Sequence, residues 1–103
     1  MQAHHAKIDI PEDAIRCFCQ RWRIRELSLF GSILRDDFHA ASDVDVLVRF
    51  ADDEQWSLLD LATMREQLQS VFGRSVDLVE ERCLRNPFRR RQILRTKEPI
   101  YDA

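Results

Sequence analysis

The amino-acid sequence predicts a small α/β (α+β) domain, in which helices flank a mixed sheet of about three strands. Three observations carry that expectation. Apolar stripes of helical period alternate with short runs of period two. Their order is helix, strand, short connection, strand, helix, strand, helix, and a helix joining two strands usually returns the chain right-handedly to a parallel neighbour. Finally, 103 residues with 45% hydrophobic and 33% charged content suit one core and leave no room for a second. Residues 1–103 are therefore read as a single domain.

Each element has its own signal. Pro11 pre-sets a first helical turn, and Ile15, Phe18, Cys19 and Trp22 then recur at i, i+3, i+4 and i+7, which predicts a helix to about Trp22. Residues 26–30, ELSLF, alternate and stop at Gly31, as a short strand ending in a turn does. Residues 43–50, DVDVLVRF, place Val44, Val46, Val48 and Phe50 on one face, with Asp43, Asp45, Leu47 and Arg49 on the other. The first face reads as core and the second as chemically loaded. Ser57 is a candidate N-cap with Asp60 at N3, opening a helix of about fifteen residues through Leu58, Leu61, Met64, Leu68 and Phe72 to Gly73. SVDLVE reads as a third strand with Asp77 set in an apolar run, where an unpaired carboxylate would be costly. Asn86 and Pro87 start a closing helix that Pro99 limits.

Composition narrows the setting. The formal charge is −2, yet Arg89, Arg90, Arg91, Arg95 and Lys97 crowd the C-terminal part, which fits either an anionic partner or a solvated helix face. Cys17, Cys19 and Cys83 are too few for a disulfide scaffold, so a reducing, cytoplasmic location is expected. Cys17 and Cys19 could in principle join His4 and His5 around a soft metal. A zinc site, however, wants four ligands at spacings such as C-x2-C, and buried or half-buried thiols are the plainer reading. No apolar stretch reaches the ~20 residues of a membrane span, and the N-terminal residues lack a signal-peptide core.

The chemistry concentrates at FGSILRDDFHAASDVD, residues 30–45. Side chains two apart on a strand share a face, so Asp43 and Asp45 lie roughly 6.5 to 7 Å apart, and either water or a cation must separate their charges. Mg²⁺ takes oxygen ligands and is commonly held by one or two carboxylates while phosphates and water complete its shell. A parallel third strand would bring Asp77 near this pair, as the third carboxylate of two-metal phosphoryl or nucleotidyl transfer. Gly31 lets backbone N–H groups approach a phosphate, Ser32 adds a hydroxyl, and Arg35 could supply a bidentate fork. Each of these alone is an ordinary turn or surface residue. Together they form G-S-x10-D-x-D, which arises by chance in roughly one chain in a thousand of this length.

With these residues in place, the sequence resembles the nucleotidyltransferase superfamily that includes DNA polymerase beta, and most closely its minimal nucleotidyltransferase (MNT) domains. LFGSILRDDFHAASDVDVLVRF resembles the family's core motif, SVDLVE its third-aspartate strand, and NPFRRRQILRTKEPIYD its C-terminal helix and tail, so the likeness covers about residues 25 to 102. It departs at Asp36, where relatives commonly carry a glycine. The resemblance implies a nucleotidyltransferase fold. It also implies that Gly31, Ser32, Arg35 and Ser42 contact the nucleotide, that Asp43, Asp45 and Asp77 bind Mg²⁺ and form the catalytic acids, and that ATP is the co-substrate. Larger members carry a helical acceptor-binding domain, for which this sequence has no counterpart. The MntA-like antitoxins pair instead with a HEPN-domain ribonuclease toxin, so the resemblance implies AMP transfer to a tyrosine hydroxyl of such a partner, with no direct nucleic-acid contact. Two alternatives stand beside this: neutralisation by binding alone, and nucleotide transfer to a small molecule.

Overall fold

A computed structural model of the protein describes residues 8–34, 42–51 and 55–103. Helix α1 (Glu12–Arg21) leads into strand β1 (Ile24–Phe30), a 3-10 turn (Gly31–Leu34) and strand β2 (Val44–Phe50). Helix α2 (Leu58–Phe72), strand β3 (Val76–Glu80), a second 3-10 turn (Glu81–Cys83), helix α3 (Pro87–Thr96) and strand β4 (Glu98–Asp102) complete the chain.

The helix boundaries follow from caps. Ser57 Oγ accepts from the Asp60 amide at 3.1 Å while Asp60 Oδ2 accepts from the Ser57 amide at 3.0 Å, which is the reciprocal capping box expected at that position. At the other end Gly73 adopts φ +68, the left-handed conformation that an L-residue enters only at a cost. Asn86 Oδ1 accepts from the amides of Phe88 and Arg89 at 3.0 and 3.1 Å, and Pro87 follows at the first helical position, where its missing N–H costs nothing.

The sheet order is β3-β2-β1-β4. β1 pairs antiparallel with both β2 and β4, and β2 pairs in parallel with β3 through the α2 crossover. The sheet is thus mixed, as expected, but it has four strands where about three were anticipated. Residues 98–102, Pro99 among them, return along β1 as an edge strand, the place in a sheet where a proline lacking a donor is tolerated.

One face of the sheet, carrying Leu27, Leu29, Val44, Val46 and Val48, packs against Ile15, Phe18 and Cys19 of α1 and Met64 and Leu68 of α2. The other face, read from sequence as chemically loaded, also carries a core of its own. Leu47, 2% exposed, joins Phe30, Leu84 and Ile93 in a second apolar cluster beneath α3. Leu58, counted in the helical stripe from its spacing, is 84% exposed because it occupies the first turn of α2 on the solvent side.

Candidate active site

The topology brings three chain segments to one end of the sheet. β2 and β3 are parallel and begin there; β1 runs the opposite way and ends there at Phe30 and Gly31. Asp45 lies opposite Phe30 on one side and opposite Asp77 on the other. The two aspartates are therefore register partners on adjacent strands, and their side chains leave the same face of the sheet, the face covered further along by α3. Asp43 precedes β2 by one residue and is exposed, Asp45 is half-buried, and Asp77 is exposed.

Gly31 is tied to this arrangement by space as well as by conformation. Its φ is +78, and a Cβ there would lie 3.1 Å from Asp45 Cγ and overlap the carboxylate oxygen Oδ2. The bare Cα leaves room for the Asp45 side chain, a constraint beyond the phosphate approach inferred from sequence. Ser32 and Ser42 are half-buried on either side of the connection between β1 and β2. Arg35 and Asp36 lie outside the described residues, as do His4 and His5.

The acids do not form a closed cage: among the described residues no three His, Cys, Asp or Glu side chains gather closely enough to hold a metal ion. The adjacent carboxylates of Asp45 and Asp77, with Asp43 two residues before Asp45, nonetheless offer hard oxygen donors. That donor set fits Mg²⁺, which relies on phosphate and water for much of its shell. Asp77 is corrected in one respect. Its strand is the edge of the sheet and its side chain is exposed, so the burial penalty anticipated from its apolar neighbours does not arise. The soft-metal alternative loses its geometry, since Cys17 and Cys19 are two apart on α1 and face different ways. Cys17 is exposed, whereas Cys19 is in the core, where burial pushes its thiol up to about 12.

Behind the acids on the same face lies an ionic network that sequence reasoning missed. Lys97 at the end of α3 donates to Glu26 Oε2, which also accepts from Ser28 Oγ at 2.8 Å, while Arg49 Nη2 donates to Glu26 Oε1 at 3.4 Å. Arg49 continues to Glu81 at 3.7 Å, and Arg90 of α3 donates to the Glu81 carbonyl oxygen at 3.1 Å. These contacts hold α3 to the sheet. The available signal was Glu26 and Arg49 falling on the same sheet face as Asp45, but their link to Lys97 spans 71 positions and has no local trace.

This combination of fold and acids is that of a nucleotidyltransferase. The chain matches the nucleotidyltransferase domain family over residues 12–99 and belongs to it; it is a nucleotidyltransferase enzyme of the minimal kind. Among similar proteins, the protein adenylyltransferase MntA of Thermococcus cleftensis is 39% identical over 67 residues, covering 65% of this chain and 66% of that one. A solved structure described as a minimal nucleotidyltransferase is 35% identical, with a TM-score of 0.70, covering 85% of this chain and 87% of its own. The fold is also shared with a Shewanella oneidensis complex of an MNT antitoxin with a tri-AMPylated HEPN toxin, at a TM-score of 0.64 and 18% identity, covering 89% of this chain and 70% of that chain.

Proposed function

We propose that this protein is an antitoxin that transfers AMP from ATP to a tyrosine hydroxyl of a partner HEPN-domain toxin. The observation that carries the reading is the Asp45–Asp77 register pair beside Gly31, whose Cα leaves room for the Asp45 carboxylate. The names of the relatives support the acceptor class: one is a protein adenylyltransferase, and in another the HEPN toxin bound to an MNT antitoxin is tri-AMPylated.

In this mechanism Gly31 and Ser32 receive the triphosphate, with Ser42 and Arg35 as further contacts. Asp43, Asp45 and Asp77 would hold Mg²⁺, which supplies charge neutralisation at the phosphates when bound. Asp77 orients the tyrosine hydroxyl and takes its proton. The phenolic oxygen then forms a bond to the α-phosphorus, the bond from that phosphorus to the oxygen bridging to the β-phosphate breaks, and diphosphate leaves with the electron pair. Exposure of Asp77 suits an acceptor that arrives on another macromolecule.

The test is Asp77→Asn, a near-isosteric change at an exposed position that should leave folding and partner binding intact. A HEPN-domain protein of the proposed partner class is incubated with the enzyme, ATP and Mg²⁺ and weighed by mass spectrometry, alongside a growth assay of toxin neutralisation. Adenylylation and neutralisation should both collapse. Full neutralisation by a variant that adds no AMP would show that binding alone suffices.

A further inference from the structure

The outer side of α3 has no counterpart in the mechanism above. From Arg82 to Lys97 the chain contains no acidic residue. Arg90 and Lys97 turn inward to Glu81 and Glu26, but Arg89, Arg91 and Arg95 are exposed and their guanidinium groups make no hydrogen bond or ion pair among the described residues. Beside them Phe88 is 81% exposed. Phe88, Arg91, Gln92 and Arg95 follow one another at i, i+3, i+4 and i+7, a stripe about 10 Å long that lines a shallow groove with Thr96. The inner side of the same helix covers Phe30, the cross-strand partner of Asp45, and Leu47, two residues further along β2.

We infer that this stripe is the docking surface for the acceptor protein, and that it receives an acidic helical face carrying carboxylates about one helical turn apart around an apolar side chain. The inference rests on the proposed transfer to a protein acceptor. An exposed aromatic ring ringed by arginines matches the residue types enriched at protein interfaces. The guanidinium fork pairs with carboxylates in two-bond geometry, which a lysine cannot do. Nucleic acid shares the requirement for positive charge, but a chain with a formal charge of −2 and a pI of about 5.9 lacks the overall basic character of domains that bind it. Position strengthens the assignment, because a protein seated on α3 stands over the face from which Asp45 and Asp77 project.

Calorimetry with the proposed HEPN-domain partner tests this, comparing the unaltered chain with Phe88→Ser and with the double change Arg91→Glu and Arg95→Glu. Each altered chain should bind the HEPN protein about tenfold more weakly or worse, lose adenylate transfer in proportion, and keep its melting temperature and its affinity for ATP with Mg²⁺. Binding within about twofold of the unaltered chain in both variants overturns the surface while leaving the proposed function standing. If the unaltered chain neither binds nor modifies the HEPN protein, the function itself fails and the docking surface with it. A single-stranded oligonucleotide is run in parallel; salt-sensitive binding lost in the double variant, with HEPN binding unchanged, assigns the stripe to nucleic acid instead.

Discussion

Gly31→Ala tests whether Asp45 owes its place to the missing side chain. Two costs should add. The left-handed conformation, φ +78, penalises an L-residue by about 1 to 2 kcal/mol, and the new Cβ must displace the Asp45 carboxylate, at about 0.5 to 1.5 kcal/mol for a side chain forced off its rotamer. Gly73→Ala is the internal control: its φ is +68 and nothing lies within 4 Å of a Cβ built there. The conformational cost, and the offsetting loss of freedom in the unfolded chain, are therefore shared by both variants. Their difference isolates the collision with Asp45. Urea unfolding should show Gly31→Ala destabilised by about 0.5 to 1.5 kcal/mol more than Gly73→Ala, and thermal melts should separate by about 4 to 8 °C per kcal/mol. Adenylate transfer discriminates more sharply, because a catalytic carboxylate moved by about 1 Å can cost about a hundredfold. Gly73→Ala should transfer at the unaltered rate. Equal destabilisation of the two variants, with undiminished transfer by Gly31→Ala, would refute the claim that the bare Cα positions Asp45.

Two further outcomes are expected. Asp45→Asn should weaken ATP binding when Mg²⁺ is present and leave it unchanged in EDTA, as read by calorimetry; an equal loss under both conditions would remove the metal from the role of Asp45. Glu26 gives a pH dependence. Burial alone would raise its carboxyl, but hydrogen bonds from Lys97 and Ser28, the Lys97 charge and Arg49 outweigh that and hold it below the usual range. A lowered folded value stabilises the protein above the unfolded value of about 4.3, and the gain disappears as pH falls through the folded value. The stability advantage of the unaltered chain over Glu26→Gln, measured in urea, should therefore be full at pH 7 and shrink below about pH 4. Parallel stability curves across that range would mean that Glu26 gains nothing from its cationic partners.

What could be read from sequence was whatever had a local cause. The Ser57 and Asp60 capping box, Gly73, and Asn86 with Pro87 are satisfied within a few residues of themselves, so their patterns predict their structure directly. The α2 crossover was legible through the handedness of strand–helix–strand connections, and it gave the parallel β2–β3 pair without any pairwise signal. β4 was missed because its pairing depends on β1, far away in the chain, and Pro99 argues against a strand in any position but an edge. Leu47 was assigned to the chemically loaded face because alternation within β2 states which residues share a face. It does not state what covers that face, and α3 does so here. The aspartates were found by residue type and spacing, whereas the exposure of Asp77 depends on strand order, which the local pattern does not encode.

Strand order also bears on how so small a domain could act on a large acceptor. Had β3 been an interior strand, a further strand beyond it would have screened Asp77, and an incoming hydroxyl would have had to enter a closed cleft. With β3 at the edge, Asp45 is half-buried between its neighbours while Asp77 meets solvent. The two carboxylates stand side by side in register yet in different environments. The inner one is braced by Gly31 and β1, which suits fixed contacts to a nucleotide and its metal. The outer one is open to whatever approaches along the edge, which suits reception of a hydroxyl carried by another protein. The α3 network of Lys97, Glu26, Arg49, Glu81 and Arg90 holds α3 on that face without narrowing the open edge, because its charges lie toward the opposite end of the strands from Asp45. Stability of the helix and access to the acids are thereby assigned to different ends of one sheet face. A substitution in the network, such as Glu26→Gln, should accordingly lower the stability of the domain at neutral pH without altering the affinity for ATP.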